Sequence, residues 1–309
     1  MDIFIQQLIN GLVLGSIYAL VALGYTMVYG ILGLINFAHG EVVMIGALVA
    51  LSAIQLVAGS GIALPGPAIA ALGLLLAVPV CMLLGYAIER IAYRPLRAAP
   101  RLTPLITAIG VSIVLQNLAM IIWGRNYHSF PELLPATPRY FAGATVSDLQ
   151  IFIVLLSCAI MAGLLALVHR TRLGCAMRAT SQNPEVAGLM GVDINTVISL
   201  TFVIGSALAA VAGFMVGAYY GVAHYFMGFM LGLKAFTAAV LGGIGNLAGA
   251  MLGGVLLGVI ESMGAGYIGD LTGGFLGSHY QDVFAFLVLI LVLTLRPSGL
   301  LGERVAERS

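Results

Sequence analysis

Long apolar stretches recur along the chain and are separated by short polar or proline-containing stretches. A helix needs about 20 apolar residues to cross a hydrocarbon layer roughly 30 Å thick. Suitable stretches lie at 8–31, 41–58, 67–88, 103–123, 149–168, 194–218, 231–243, 248–264 and 280–295. Strands of a membrane barrel would instead alternate apolar and polar residues. The pattern therefore predicts an all-α, polytopic transmembrane helical bundle of about 8–9 membrane helices, some of them short or interrupted.

Composition supports a membrane protein and argues against a separate soluble domain. Of the 309 residues, 61% are hydrophobic and only 8% are charged, whereas soluble domains average about 25% charged residues. The longest polar stretch, residues 124–148, is too short to build a hydrophobic core of its own. We therefore expect residues 1–309 to form a single transmembrane domain in a lipid membrane, and the net charge of +1 gives no indication of nucleic-acid binding.

The basic residues predict an orientation, because cytoplasmic loops of membrane proteins are enriched in Lys and Arg. Most of the 13 basic residues fall into three polar stretches. An even number of predicted membrane helices separates each stretch from the next, so all three would lie on the same side of the membrane. The stretches contain Arg90, Arg94, Arg97 and Arg101, then Arg170, Arg172 and Arg178, then Arg296, Arg304 and Arg308. Placing these stretches in the cytoplasm puts the amino terminus outside and the carboxyl terminus in the cytoplasm.

Two apolar stretches are interrupted in a similar way. "GLINFAHGE" begins at Gly33, and a weak internal repeat 210 residues later aligns it with "GIGNLAGAM" at Gly243. Interrupted helices in corresponding positions of two halves point to a transport site. The candidate pathway residues are Asn36, His39, Glu41, Lys234, Gly243 and Asn246. A structural alternative remains open, since polar side chains at a helix break also pair with free backbone groups.

Lys234 is the sole lysine of the chain and lies inside an apolar stretch. One interpretation is that it extends to the outer membrane interface, as long basic side chains often do. The other is that it faces the transport route, with Glu261 as its counter-ion. No GxSxG, HExxH or other catalytic set accompanies these residues, and the three cysteines lack the spacing of a metal site. The sequence thus favours a transport protein over an enzyme.

A short helix is predicted in the second basic stretch, "RATSQNPEVAGLMGVD". Asn183 suits the N-cap, Pro184 suits the first helical turn and Gly191 suits the residue after the helix. The helix would cover 184–190 within a cytoplasmic segment at about 180–191. Seven residues are too few for a stable isolated helix. It must dock on its own bundle or on a cytoplasmic partner, with Val186, Leu189 and Met190 on one face.

Several of these motifs resemble a known family. Glu185, Ala187 and Gly191 are spaced like the coupling-loop motif of ABC importer permeases. "GYTMVYGILGLINFAHGE", "GLKAFTAAVLGGIGN", "IERIAYRPLR" and "LRPSGLLG" are similar to stretches of the high-affinity branched-chain amino-acid permeases, H-type subunit. The resemblance implies that the residues that couple this chain to an ATPase are Pro184, Glu185, Val186, Ala187, Leu189 and Gly191.

The resemblance also implies partners and a transport reaction. A homologous second permease would form a heterodimer with this chain, two cytoplasmic ABC ATPases would bind ATP and Mg²⁺, and a periplasmic binding protein would deliver branched-chain amino acids at the bacterial inner membrane. The chain itself needs no cofactor, because a P-loop requires Gly-Lys followed by Ser or Thr and Lys234 precedes Ala235. Urea and short-chain amide permeases share the "NFAHG" stretch. An ion-coupled secondary transporter and a passive channel are the remaining alternatives.

Overall fold

The computed structural model describes residues 2–61, 64–97, 99–100, 102–133, 137–141, 143–271, 281–296 and 298–302. Over these residues the chain is mainly helical. The helices are α1 Asp2–Leu32, α2 His39–Gly59, α3 Gly66–Ile88, α4 Leu102–Trp123, α5 Asp148–Arg170, α6 Arg172–Gln182, α7 Pro184–Leu189, α8 Ile194–Tyr220, α9 Met227–Gly242, α10 Leu247–Leu271 and α11 Gln281–Leu295. A π-helical turn, Glu89–Tyr93, and a 3₁₀ turn, Arg94–Leu96, extend α3.

Seven of the described helices are long and apolar enough to cross a membrane: α1, α2, α3, α4, α5, α8 and α10. Two shorter apolar segments, α9 and the Phe286–Leu295 part of α11, accompany them. This confirms the predicted polytopic helical bundle. Helix α1 begins well before the predicted position 8, because its polar first turns have partners. Gln6 donates to the Thr145 carbonyl at 3.1 Å, and Gln7 accepts from Ser262 at 2.7 Å.

Among the described residues, four short strands occur in connections for which the sequence predicted no strand. The strands are β1 His128–Ser129, β2 Pro138–Phe141, β3 Ala144–Ser147 and β4 Val222–Ala223. β1 pairs antiparallel with β4, and β2 pairs antiparallel with β3. Strands of two to four residues are too short for an alternating pattern to be read from sequence. The β1–β4 pair joins the connection after α4 to the connection after α8.

Helix α1 lies at the centre of the bundle and packs antiparallel against α10 along most of its length. Glycines on both helices make this contact close: a Cβ atom on Gly258 would lie 2.2 Å from the Gly15 nitrogen, and one on Gly254 would lie 2.4 Å from the Ala19 Cα. Lipid is as apolar as a leucine side chain, so helices in membranes associate largely through such close packing of small residues. Helices α8 and α9 contact the other faces of α1.

Both predicted helix interruptions are present. Helix α1 ends at Leu32 and is followed by Gly33 with φ 64°, and α9 ends at Gly242 and is followed by Gly243 with φ 108°. Side chains with a Cβ rarely adopt positive φ, so glycine suits both positions. Helix α2 then begins at His39 with Glu41 in its first turn, and α10 begins at Leu247.

The α1–α10 contact leads to a stability prediction. Gly258→Ala places a methyl group against the backbone of Gly15, so the two helices must separate. Overpacking of this kind costs about 1–3 kcal/mol. We expect a lower melting temperature for the variant in detergent, measured by fluorescence-detected size exclusion after heating. Gly163→Ala in α5 is the matched control, because no atom lies within 4 Å of its added Cβ. Equal melting temperatures for both variants would contradict the proposed role of this contact.

Candidate functional site

A cavity of about 430 Å³ lies between α1, α8 and α9. Residues from the connections after α4 and α8, Tyr127, Val222 and His224, line it at one end of the bundle, and it extends inward to Tyr18, near the middle of α1. Its wall combines aliphatic residues with the aromatic residues Tyr18, Tyr127, Tyr220 and Phe226, and its size is in the range of small-molecule sites. The aliphatic residues are Val216, Val222, Met227, Met230 and Leu231.

Lys234 supplies the charge in this cavity. Its Nζ lies 2.7 Å from Glu261 Oε1 and 2.7 Å from Asp282 Oδ1. Nζ is also 5.8 Å from the centre of the Tyr18 ring. Only 10% of the Lys234 side chain is exposed, so the expectation that it extends to the membrane interface is wrong. The reason is that α10 and α11 bring two carboxylates to it.

Asp282 was not identified from sequence, whereas Glu261 was named as a counter-ion. The available signal was an acidic residue immediately before the last apolar stretch, in "QDVFAFL". Such a residue is usually interpreted as a helix-start or interface residue, because acidic groups near a helix amino terminus are favourable. Only the packing of α11 against α9 and α10 shows that this carboxylate meets Lys234.

The first interruption is surrounded by buried polar pairs. The side-chain oxygen of Asn36 accepts a hydrogen bond of 3.0 Å from the Tyr93 hydroxyl. Glu41 Oε1 accepts from Ser112 at 3.1 Å and from Gln116 at 2.7 Å. Ser112 and Gln116 lie in the middle of α4, so the Glu41 carboxylate is halfway along a membrane-spanning helix. The partners of Asn36 and Glu41 come from distant parts of the sequence and were not predicted.

His39, the first residue of α2, is buried against α1. A Cβ on Gly24 would lie 2.2 Å from His39 Nε2, so the ring occupies the space that a side chain at position 24 would need. The Tyr25 ring meets it edge-on with centroids 4.9 Å apart. His39 Nε2 has no hydrogen-bond partner among the described residues.

The second interruption packs against the segment 298–302. The backbone N–H of Leu301 donates to the Gly242 carbonyl at 2.9 Å, and the Asn246 side chain donates to the Leu301 carbonyl at 2.9 Å. Asn246 Oδ1 also accepts from the Gly249 N–H at 3.0 Å and so caps α10. Gly243 lies directly against Gly302. Of the six candidate pathway residues, Lys234 lines the cavity, and the other five contact protein around the two interruptions.

The predicted short helix is present as α7. Its N-cap is Asn183, whose Oδ1 accepts from the Val186 N–H at 3.1 Å, and its first residue is Pro184. It ends at Leu189, one residue earlier than predicted, and Gly191 has φ 87°. The preceding helix α6 was not predicted separately. Helix α7 contacts α6 and α8.

One face of α7 is apolar and exposed. Ala187 is buried against the bundle, whereas Leu189 is 86% exposed and Met190 is 82% exposed. Val186 and Glu185 are also exposed. Two adjacent large apolar side chains on a short polar connection are unusual for a surface that faces only water, and a larger apolar patch often indicates a protein contact.

A buried polar cluster joins the π-helical turn after α3 to the start of α8, the helix that follows α7. Glu89 in the π-helical turn is fully buried, pairs with the Arg97 guanidinium and accepts from Ser199 at 2.6 Å. Arg97 also donates to the Asn195 side chain at 2.7 Å. The sequence analysis used Arg97 only as an indicator of orientation. The neighbouring Asp193 caps α8, and the Thr196 hydroxyl, 2.6 Å away, holds the pKa of its carboxyl below the usual range.

Comparison with known proteins identifies the family. The family described as branched-chain amino acid transport system / permease component matches residues 7–293. The chain is 49% identical to the high-affinity branched-chain amino acid transport system permease protein BraD of Pseudomonas aeruginosa, over 99% of this chain and 98% of the relative. It is 44% identical to the permease LivH of Salmonella typhimurium, over 99% and 97%. A probable LivH of Methanocaldococcus jannaschii is 25% identical, over 97% and 94%.

The match runs from the first turns of α1 to the last turns of α11 and therefore includes the cavity, both interruptions and α7. With its seven long apolar helices, the chain is a multi-pass inner-membrane protein, and it belongs to the branched-chain amino acid permease family of ABC importers.

Proposed function

We propose that the chain is the membrane-spanning subunit of an importer that carries branched-chain amino acids inward at the expense of ATP hydrolysed by partner subunits. The observation that supports this most strongly is the 49% identity to BraD over nearly the full length of both chains. The aliphatic wall of the cavity suits a branched hydrocarbon side chain.

Energy coupling is assigned to α7 and the residues beside it. Pro184, Glu185, Val186, Ala187, Leu189 and Gly191 form a compact unit, in which Ala187 anchors the helix and Leu189 and Met190 extend outward. In the proposed assembly, a cytoplasmic ATPase that binds ATP and Mg²⁺ holds this apolar tip. Movement of the tip passes to α8 through the contact between α7 and α8.

The orientation proposed for the chain follows the arginine-rich segments. Arg97 contacts the start of α8, and Arg178 lies with Gly245 around a small cavity beside the second interruption. The 298–302 segment meets the same interruption. The described parts of the three basic segments thus lie at one end of the bundle, and the positive-inside tendency supports placing this end in the cytoplasm. The 430 Å³ cavity then opens toward the periplasm, where a binding protein delivers the solute.

The two interruptions are proposed as the places where the bundle changes shape. Asn36, His39 and Glu41 join α1, α2 and α4 at the first, and Gly243 and Asn246 join α9, α10 and the 298–302 segment at the second. Non-helical backbone between packed helices is a common hinge. The solute would pass from the cavity between these two points, and a homologous second permease would complete the route.

Transport driven by ATP tests the function directly. We expect the assembly of this chain with its second permease, ATPases and binding protein to accumulate radiolabelled leucine in proteoliposomes only when ATP is supplied. Uptake of leucine by this chain alone, driven by an ion gradient, would contradict the proposal and favour a secondary transporter. Uptake of urea or short-chain amides in place of leucine would keep the mechanism and change the substrate.

Charge reversal at Glu185 tests the coupling segment. Glu185 is exposed in the first turn of α7, so Glu185→Lys leaves the helix core intact while it changes the docking surface. We expect at least about tenfold less ATPase copurification, the scale of one lost charge-assisted interaction. Glu132→Lys, the same change on an exposed residue in the connection after α4, should copurify normally. Normal ATPase binding by Glu185→Lys would exclude this docking surface.

Asn36 allows a structural role to be separated from a transport role. Asn36→Leu leaves the buried Tyr93 hydroxyl without its acceptor, at a cost of about 1–3 kcal/mol. Adding Tyr93→Phe removes the unpaired hydroxyl and should restore the melting temperature. We expect leucine uptake to stay low in the restored double variant. If uptake recovers together with stability, Asn36 contributes to packing alone.

A further inference from the structure

The inner end of the cavity contains one ammonium group held by two carboxylates. Lys234 lines the cavity, and Glu261 and Asp282 hold its Nζ at 2.7 Å each. A buried charge without a partner costs several kcal/mol, so two acidic partners favour the protonated lysine. The arrangement therefore keeps the Lys234 ammonium protonated at a fixed point of a cavity whose other lining residues are mainly aliphatic and aromatic.

The lysine keeps capacity for one further partner. An ammonium group has three N–H donors, and two carboxylates are paired with Lys234 in the described part of the chain. Because Lys234 also lines the cavity, with its Nζ 5.8 Å from the centre of the Tyr18 ring, a ligand there can accept from the third N–H. Carboxylate oxygens are the strongest common acceptors for such a donor.

His224, the other basic side chain in the wall, does not compete for this role. Burial lowers the pKa of His224, which favours the neutral form of its ring. It lies with Tyr127 in the connections at the end of the bundle, and their rings are 4.7 Å apart. Among the described lining residues, Lys234 is thus the cation that a ligand meets.

We propose that Lys234 binds the carboxylate of the transported solute and that the side chain of the solute lies against Val216, Met230 and Leu231. Glu261 is the positioning residue that keeps the Lys234 ammonium charged and in place, and Asp282 is a second acidic partner whose place the carboxylate of the solute can take. This assignment rests on the proposed transport function and deepens it. It makes the permease itself selective for amino acids over urea and short-chain amides, which carry no carboxylate.

Binding without the binding protein tests the assignment, since that protein has a specificity of its own. Saturation-transfer NMR on the purified permease–ATPase assembly compares leucine, leucinamide and 4-methylpentanoate, which keeps the carboxylate and lacks the ammonium. We expect leucine and 4-methylpentanoate to bind, and leucinamide to bind at least about tenfold more weakly, the scale of one charge-assisted hydrogen bond. Equal binding of leucine and leucinamide would overturn the proposal.

Variants connect this preference to Lys234. In Lys234→Met combined with Glu261→Gln, one positive and one negative charge are removed together, so the buried Glu261 position carries no unpaired charge and only the partly exposed Asp282 carboxylate loses its partner. We expect the preference for carboxylates to disappear, whereas Lys234→Arg should retain it, as should the control Leu118→Met, a change at an exposed residue of α4 that does not line the cavity. A preference that persists in the double variant would show that another residue recognises the carboxylate.

A milder change keeps the test informative if the double variant does not fold. Asp282→Asn leaves Lys234 and Glu261 paired and removes one negative charge that competes with the ligand. We expect tighter binding of 4-methylpentanoate, and unchanged or weaker binding would contradict the assignment. ATP-driven leucine uptake distinguishes a failure of this inference from a failure of the proposed transport function. Uptake without a preference for carboxylates refutes this inference alone. A preference for carboxylates without uptake refutes the proposed transport function alone.

Discussion

Hydrocarbon provides no hydrogen-bond partner, so a polar group that this chain places between its helices is costly unless it finds a partner within the protein. The consequence is visible wherever the helices are interrupted or carry a charge. Asn36 meets Tyr93, Glu41 meets Ser112 and Gln116, and Lys234 meets two carboxylates. These pairs join helices that are far apart in sequence, so the requirement for pairing also determines which helices become neighbours.

Close backbone packing complements these polar pairs. The glycines of α1 and α10 let these two helices pack closely. Helix α9 in turn packs closely against α10 where Gly242 contacts Gly249. Helices α3, α4 and α5 keep large apolar side chains such as Leu83, Ile121 and Leu155 exposed, as suits contact with lipid or another membrane subunit. The bundle thus has a tightly packed interior around α1 and a more loosely covered outer layer.

Much of the fold follows from local features that a sequence displays. Apolar length predicts the helices, positive-φ glycines explain the interruptions at Gly33 and Gly243, and Asn183 with Pro184 predicts α7. The site depends on contacts between distant segments, which no local pattern encodes. Asp282 resembles an ordinary helix-start residue until α11 packs beside α9, and Glu89 resembles part of a solvated loop until Ser199 and Arg97 enclose it.

The 298–302 segment has a consequence for how the bundle is held together. Its N–H groups pair with the carbonyls of Leu241 and Gly242, the last of α9, as a further turn of that helix would have done. Helix α9 also carries Lys234, two turns earlier. The 298–302 segment therefore contacts the carboxyl end of α9, and the charge cluster beside the cavity lies at the middle of the same helix, so a displacement of that segment would be transmitted along α9 to the cavity.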